Sequence, residues 1–254
     1  MSNIVIIPAR YGATRFPGKV LALLRGKPVI QWVYERAKRA SLIQDVIVAT
    51  DDERILKTVK DFGGRAVMTS ADAPSGTDRI AEVAATLSCD IIINVQGDEP
   101  LIRAEMINQA VELLQDSRAS ISTLAKRIED PEELRDPNVV KVVFDKEGFA
   151  LYFSRSTIPY YRDRWKNPSE IHLGEGINAY KHIGIYGYRR EVLLRFTKMP
   201  HGELERIEKL EQLRALEGGL RIKVGLTTFN TVGIDTPEDL KRAEQEISRR
   251  AFEP

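Results

Sequence analysis

The feature that most constrains the fold is an alternation of short apolar segments with helix-like segments through the first 118 residues. The apolar segments have strand length, and the segments between them carry helical periodicity with helix-start or helix-stop residues. Parallel strands need long crossover connections, so this alternation predicts a parallel, doubly wound sheet. The predicted strands are 3–8, 45–50, 66–70 and 90–100, and the predicted helices are 28–40, 51–64, 75–87 and 103–116.

After about residue 118 the alternation gives way to an α+β pattern, so the predicted fold class is α/β: a mostly parallel, Rossmann-like sheet with a partly antiparallel insertion in the second half. The predicted elements of this half are a hairpin over 139–155, a mobile loop over 163–176, a β-rich segment over 177–190, one amphipathic helix over 203–219, a strand over 222–229 and a closing helix over 235–250 capped by Thr236 with Pro237 at its first position.

Composition excludes several classes of function. The 254 residues include 38 Lys and Arg against 37 Asp and Glu, which argues against general nucleic-acid binding but permits a local cationic pocket. The single cysteine, Cys89, allows no internal disulfide and no Cys/His zinc cluster. No apolar run reaches the roughly 18 residues of a membrane helix, and no secretory signal precedes the first strand, so we expect a soluble cytoplasmic protein.

The segment IVIIPARYGATRFPGKV, residues 4–20, resembles a P-loop but departs from it twice. Five residues separate Gly12 from Gly18 where the P-loop pattern has four, and Val20 after Lys19 has no hydroxyl for a magnesium ion. Cations on a glycine-broken loop after a strand favour a polyanionic ligand, since freed backbone N–H groups can form an anion nest. The alternative is a solvated surface loop whose cations pair with acids.

Two further segments carry carboxylates at positions suited to metal binding. NVQGDEP places Asp98 and Glu99 on a turn after an apolar strand, where a carboxylate could ligate magnesium beside bound phosphates or could simply satisfy the turn. Asp235 precedes a helix start, where an acid also complements the helix dipole. Strand ends of an open α/β sheet line its ligand crevice, so these carboxylates and the opening loop are candidates to converge there.

Seven segments in unbroken order resemble the 3-deoxy-manno-octulosonate (Kdo) cytidylyltransferase family of sugar nucleotidyltransferases. The resemblance spans nearly the whole chain, and it implies an enzyme that joins CTP and Kdo to give CMP-Kdo and pyrophosphate for lipopolysaccharide biosynthesis. The segments are IPARYGATRFPGK, APSGTDRIAE, NVQGDEP, LYFSRSTIP, HIGIYGYR, EKLEQLR and VGIDTPEDL.

The resemblance also implies roles for individual residues. Catalysis is assigned to Arg10, Lys19, Asp98 and Asp235, and a Mg²⁺ cofactor to Asp98 and Asp235. The residues implied to bind CTP are Ala9, Arg10, Lys19, Ser75, Arg79 and Gln96. The residues implied to bind the sugar acid are Gln96, Arg155, His182, Tyr186, Glu211 and Gln212.

From pattern alone, several of these residues have a structural alternative. His182 could be a packed, hydrogen-bonded histidine and Tyr186 a core tyrosine. Glu211 and Gln212 are adjacent, so on one helix they cannot share a face. Arg155 suits the carboxylate of Kdo because its guanidinium can bind in a bidentate manner.

The resemblance implies a single domain over 1–254 that functions as a homodimer. Residues 1–118 are expected to form the CTP-binding core, 119–220 the sugar-binding and dimerisation lobe, and 221–254 a return to the core. Three other functions stay open: a cytidylyltransferase for a related acid such as sialic acid or 8-amino-Kdo, a non-catalytic nucleotide-binding protein, and a GT-A type glycosyltransferase. The last would carry a D-x-D motif, where this chain has Asp98-Glu99.

Overall fold

The fold was analysed in a computed structural model, which describes residues 2–12, 15–165, 167 and 171–250. Its strands are β1 Asn3–Ala9, β2 Leu23–Leu24, β3 Lys27–Pro28, β4 Asp45–Thr50, β5 Arg65–Met68, β6 Ile91–Asn94, β7 Ile121–Arg127, β8 Lys141–Phe144, β9 Ala150–Ser154, β10 Tyr180–Arg189 and β11 Ile222–Leu226. Its helices are α1 Val29–Ala37, α2 Glu53–Asp61, α3 Gly76–Ala85, α4 Ala104–Leu113, α5 Pro131–Arg135, α6 Arg190–Phe196, α7 Glu203–Glu208, α8 Gln212–Glu217 and α9 Pro237–Arg250, with a 3₁₀ turn over Lys19–Leu21.

One mixed sheet organises the described part of the chain. The strand order is β11-β7-β10-β6-β1-β4-β5, and the β8–β9 hairpin joins it through β10. Pairs β6–β1, β1–β4, β4–β5 and β7–β11 are parallel, whereas β10 runs antiparallel to both β6 and β7. The predicted fold class, a largely parallel Rossmann-like sheet with an antiparallel insertion, is therefore confirmed.

Strand β1 is buried on both faces, as its continuous apolar sequence predicts. Successive side chains point to opposite faces, so Val5 and Ile7 pack against the α1, α2 and α4 side while Ile4 and Ile6 pack against the α3 and α6 side. Because β1, β4 and β6 run parallel, their carboxyl ends lie at a common edge of the sheet. The loops that follow those ends carry the candidate site.

In the first half, most predicted elements lie where the sequence pattern places them. The strand over 45–50 has the predicted bounds, and Ser75 caps α3 by accepting a hydrogen bond from Asp78 N. The helix predicted to start at Pro28 starts at Val29 instead. Pro28 has extended backbone angles and pairs with Leu23 in the β2–β3 ribbon, so it precedes the helix.

In the second half, three predictions need correction. Residues 121–127 form strand β7, which lies between β11 and β10 in the sheet and which the change of pattern near residue 118 did not indicate. The loop predicted over 163–176 is partly packed, since Trp165 is 1% exposed in an apolar cluster with Leu134 and Ile177. Lys166 and residues 168–170 of that loop lie outside the described residues.

The third correction concerns residues 203–219, which form two short helices and not one long one. Lys209 adopts left-handed backbone angles (φ 55°, ψ 45°) and ends α7. Glu211 therefore precedes α8, and Gln212 is its first residue. The cap residues predicted for the last helix are confirmed, because Asp239 N donates to Thr236 Oγ1 and α9 begins at Pro237.

All four strands from 119–220 belong to the same sheet as β1. Residues 222–226 return to that sheet as β11, and α9 packs beside β2. The functional division into a CTP core, a sugar and dimer lobe and a returning segment stays a prediction.

Candidate active site

A cavity of about 450 Å³ opens at the carboxyl edge of the sheet. Its wall is built from the opening loop, the start of α3, the turn after β6 and the segment before α9. Of the residues predicted to act in catalysis or to bind CTP, all line this cavity: Ala9, Arg10, Lys19, Ser75, Arg79, Gln96, Asp98 and Asp235. Segments as far apart as residues 9 and 235 thus converge, as the strand-end argument predicts.

The opening loop is held in a compact form by two glycine-dependent contacts. Gly18 has φ +71° and donates its N–H to Tyr11 O at 2.8 Å, and a Cβ at Gly18 would lie 2.8 Å from the Tyr11 ring. Gly97 permits a similar close approach, since a Cβ there would lie 2.9 Å from Pro8 O. These contacts bring the loop after β1 and the turn after β6 to opposite sides of one cavity.

Lys19 lies between two carboxylates. Its Nζ forms ion pairs with Asp98 Oδ2 and with Asp235 Oδ1, the latter at 2.8 Å, and the side chain is 14% exposed. The backbone holds the same arrangement, because Ile234 N donates to Asp98 O at 2.9 Å and so places Asp235 beside Asp98. Arg15 adds a second cation to Asp235 at 2.8 Å.

These contacts shift the proton equilibria of the cluster. Burial of the Lys19 ammonium on its own lowers its pKa, but Asp98 and Asp235 outweigh that effect and the pKa lies above its ordinary value. Burial of Asp235 on its own raises its pKa, but the hydrogen bond and charge of Lys19 outweigh it, so the pKa lies below its ordinary value. Lys19 and Asp235 thus stabilise each other's charged forms.

The remaining residues predicted to bind CTP differ in how freely they can reach a ligand. Arg10 is exposed at the cavity rim. Arg79, in contrast, is buried and uses its guanidinium on Asp51 at 2.7 Å, on Thr69 Oγ1 and on Ser70 O. Arg79 thus ties the start of α3 to the end of β4, and its charge is balanced by Asp51 beside the cavity lining.

Of the residues predicted to bind the sugar acid, Gln96 lines the cavity and the other five fall into two groups. His182, Tyr186 and Glu211 lie together, since the rings of His182 and Tyr186 are 5.2 Å apart and the Glu211 charge acts on the Tyr186 hydroxyl. Glu211 also accepts a hydrogen bond at 3.1 Å from Ser75, which lines the cavity. The first group therefore adjoins the cavity behind Ser75.

Burial lowers the pKa of His182 to about 3, so its imidazole is neutral at neutral pH. Thr123 Oγ1 lies 2.9 Å from His182 Nε2 and gives its proton to the Ile185 carbonyl at 2.8 Å. This arrangement favours the tautomer in which Nε2 donates to Thr123 and Nδ1 accepts. His182 is thus suited to accept from a hydroxyl group and unsuited to pair with a carboxylate.

Arg155 and Gln212 form the second group and lie outside the lining of the cavity, as far as the described residues show. Arg155 donates from Nε to Glu208 O at 2.7 Å and from Nη1 to Pro137 O at 2.9 Å. Its own backbone N–H donates to the Glu208 carboxylate. Gln212, the first residue of α8, is buried. The structure therefore fixes Arg155 at the base of the hairpin and leaves its sugar-binding role a prediction.

Comparison with known proteins identifies the family of this chain. The sequence model of the cytidylyltransferase family matches residues 4–222. A 3-deoxy-manno-octulosonate cytidylyltransferase of Thermodesulfovibrio yellowstonii is 56% identical, with 96% of this chain and 98% of that protein covered. One of Geobacter metallireducens is 53% identical, with 98% and 99% covered. The chain belongs to the 3-deoxy-manno-octulosonate cytidylyltransferase family.

A solved structure of a protein with a related name has the same fold as this chain. The structure of CMP:2-keto-3-deoxy-manno-octonic acid synthetase complexed with CTP superposes with a TM-score of 0.91 at 40% identity. The superposition covers 98% of this chain and all of that one. In this chain, none of the helices that the structure describes is long and apolar enough to cross a membrane.

Asp51 and Glu99 follow strands, which marked both as candidates to lie at the crevice, but the part that each plays there was not predicted. Asp51 follows β4 directly and fixes Arg79, so its position at a strand end was a usable signal. Glu99 lies beside the cavity turn, where removal from water and, secondarily, the Asp98 charge raise its pKa to about 8. Glu99 is therefore mostly protonated at neutral pH, which no local sequence pattern reveals.

Proposed function

We propose that this protein joins CTP and Kdo to form CMP-Kdo and pyrophosphate. One observation carries the proposal: the cavity at the sheet edge holds a lysine between two aspartates, with arginines at its rim, as triphosphate chemistry requires. Family membership supports the identity of the two substrates, since the relatives bear the name of this reaction.

In the proposed reaction the anomeric hydroxyl oxygen of Kdo attacks the α-phosphorus of CTP. A bond forms between that oxygen and phosphorus, the bond from the α-phosphorus to the bridging oxygen breaks, and pyrophosphate leaves with its electron pair. The hydroxyl proton is released to solvent. Arg10 and Lys19 contact the β- and γ-phosphates and offset the charge that develops on the leaving group. Positioning and charge stabilisation supply the catalysis, and no covalent protein intermediate forms.

The residues of the cavity fit a Mg²⁺ cofactor. Among the described residues there is no cluster of three or more ligating side chains, but Mg²⁺ is held in many sites by one or two carboxylates plus substrate phosphates and water. Asp98 and Asp235 already flank a cation, the Lys19 ammonium, so their carboxylates face a common position. They would hold the ion, which when bound would make the hydroxyl more acidic and neutralise phosphate charge.

The sugar acid is proposed to occupy the region that adjoins the cavity behind Ser75. Gln96 lines the cavity from the turn after β6, and Glu211 and His182 Nδ1 offer acceptors for sugar hydroxyls. Arg155 is proposed to receive the sugar carboxylate, and Gln212 to contact the sugar from the start of α8. In both cases the support is the family resemblance.

The protein is also proposed to act as a homodimer through its second half. Leu151 on β9 and Ile207 on α7 expose 63% and 69% of their surface, so this half presents apolar groups that a second copy could cover. Light scattering coupled to size exclusion would report a mass of twice the chain. A monomeric mass at micromolar concentration would contradict the proposal.

Pyrophosphate release tests the function directly. The protein is incubated with CTP, Mg²⁺ and, in separate reactions, Kdo, 8-amino-Kdo and a sialic acid. Release that requires both CTP and Kdo, with CMP-Kdo identified by mass, is the expected result. Turnover of sialic acid or 8-amino-Kdo at a higher kcat/KM would reassign the sugar, and tight CTP binding without turnover of any acid would overturn the enzymatic function.

A further inference from the structure

A buried ionic cluster lies in the corner between α7 and α8, outside the cavity lining. Arg214 of α8 is 5% exposed. It donates two hydrogen bonds to the Glu205 carboxylate of α7, from Nε at 2.9 Å and from Nη2 at 2.7 Å. The same Nη2 lies 3.6 Å from Oε1 of Glu211. The guanidinium also stacks on Phe196, 4.9 Å from the ring centre. Arg214 thus contacts three side chains, those of Glu205, Glu211 and Phe196. Of these, Glu211 is predicted to bind the sugar acid.

Glu211 in turn reaches the first turn of α3. Its Oε2 accepts from Thr77 Oγ1, and its Oε1 accepts from Ser75 Oγ at 3.1 Å. Ser75 has one hydroxyl proton, which it can give either to Glu211 or to Asp78 at 2.7 Å. The Glu211 carboxylate therefore competes with Asp78 for a donor that lines the cavity, and its position depends on what holds it from the other side.

The charges that face Glu211 are unbalanced without Arg214. Asp78 faces it from α3, Tyr186 and Tyr188 face it from β10, and Arg214 is the cation from α8. Burial raises the pKa of Glu211 and Asp78 raises it further, whereas Thr77, Ser75 and Arg214 lower it. Loss of the guanidinium would leave one carboxylate, Asp78, and two phenols around the half-buried Glu211.

We propose that Arg214, held by Glu205, is a positioning residue that keeps Glu211 in its carboxylate form and directed at the sugar acid site. The inference rests on the proposed function, because it assigns Glu211 an acceptor role toward a sugar hydroxyl. Arg214 itself touches no substrate in this scheme. It acts through Glu211, so its removal affects the sugar acid and leaves CTP binding largely intact.

Steady-state kinetics of Arg214→Met test the proposal against both substrates. The variant should lower kcat/KM for Kdo by up to about tenfold at pH values below the Glu211 pKa, since an opposite charge at this range shifts a carboxyl pKa by about one unit. The KM for CTP should change less than about twofold. Arg206→Met, the same substitution at an exposed position of α7, is the matched control and should match wild type in both constants.

The pH profile separates positioning from mere structural support. An ionised Glu211 binds sugar, so kcat/KM for Kdo falls as pH drops through the Glu211 pKa. Arg214→Met raises that pKa, so the acid limb of the profile should move to higher pH by about one unit. At alkaline pH the kcat/KM of the variant should approach the wild-type value. A uniform loss at every pH, or equal losses for CTP and Kdo, would overturn the proposal.

Two further variants keep the test decisive if Arg214→Met folds poorly. Arg214→Lys retains the charge and should keep the acid limb near its wild-type position. Glu205→Gln removes the carboxylate that competes for Arg214 and should move the acid limb slightly to lower pH, opposite to Arg214→Met. An acid limb that moves equally in Arg214→Lys and Arg214→Met would overturn the proposal. Failure of the wild-type protein to use Kdo would instead refute the proposed function, which the wild-type assay reports separately.

Discussion

The position of Lys19 between Asp98 and Asp235 makes a prediction about metal binding in the absence of CTP. The ammonium occupies the place where the two carboxylates would hold Mg²⁺, so metal and lysine compete for the same anions. In the substrate complex Lys19 is proposed to turn to the phosphates. Without CTP it has no such alternative, and the metal must displace it. Lys19→Met removes the competitor and should strengthen Mg²⁺ binding to the free protein.

The expected change in Mg²⁺ affinity depends on how exposed Lys19 and its carboxylate partners are to solvent. Opposite charges about 4 Å apart attract by about 4 kcal/mol at an effective dielectric of 20 and by about 1 kcal/mol in bulk water. The Lys19 side chain is 14% exposed, but Asp235 is 48% exposed, so the cost of moving the ammonium aside lies near the lower value. A cost of about 1.4 to 2 kcal/mol corresponds to a tenfold to thirtyfold change in Kd.

Titration calorimetry with MgCl₂ on the CTP-free protein measures this change, and a thermal shift with rising Mg²⁺ supports it because the ion binds the folded state. Lys57→Met removes an exposed surface cation and is the control, with no expected gain. The double variant Asp98→Asn, Lys19→Met should lose the increase in Mg²⁺ affinity that Lys19→Met gives on its own. Equal Mg²⁺ affinities in wild type and Lys19→Met would refute the competition, and would place the metal away from this pair of carboxylates.

Three other substitutions test separate parts of the molecule. Asp98→Asn should lower kcat by about 100-fold or more with a much smaller change in CTP binding, and a near-normal kcat would remove Asp98 from the metal site. Arg155→Ala should raise the KM for Kdo more than the KM for CTP, whereas equal increases would remove Arg155 from the sugar site. Lys141→Met should lower the free energy of unfolding in urea by about 3 kcal/mol, because the fully buried ammonium donates to three backbone carbonyls. Lys146→Met, at an exposed position, is the control and should have little effect.

The cavity could be predicted from the sequence because its residues follow strands. Lys19, Asp98 and Asp235 stand beside apolar segments or helix starts, and a parallel sheet carries such positions to one edge without further information. Their mutual contact could not be predicted. The ion pairs of Lys19 join residues 79 and 216 positions apart. The sequence allowed the loop cations to pair with acids, but nothing in it identified Asp98 and Asp235 as the partners.

Sequence reasoning also failed to locate strand β7. Residues 121–127 contain Ser122, Thr123 and Lys126 among their apolar neighbours, so they lack the continuous apolar run that marked β1 and β6. Ser122 and Thr123 are nevertheless buried, because their hydroxyls donate to the carbonyls of Ala110 and Ile185. A buried strand whose polar groups are satisfied by distant carbonyls has no local signature.

The break at Lys209 shows how tertiary contacts override a local preference and how that affects the site. Residues 203–219 are rich in helix-forming Glu, Leu, Arg and Lys, and a continuous helix would put Glu208 and Glu211 on one face. In the structure Glu208 accepts from Ser154 and Arg155 at the end of β9, while Glu211 accepts from Ser75 and Thr77 on α3. Those partners lie on different elements, so one straight helix cannot serve both. The left-handed residue Lys209 between the two glutamates resolves the conflict and places Glu211 beside Ser75, which lines the cavity.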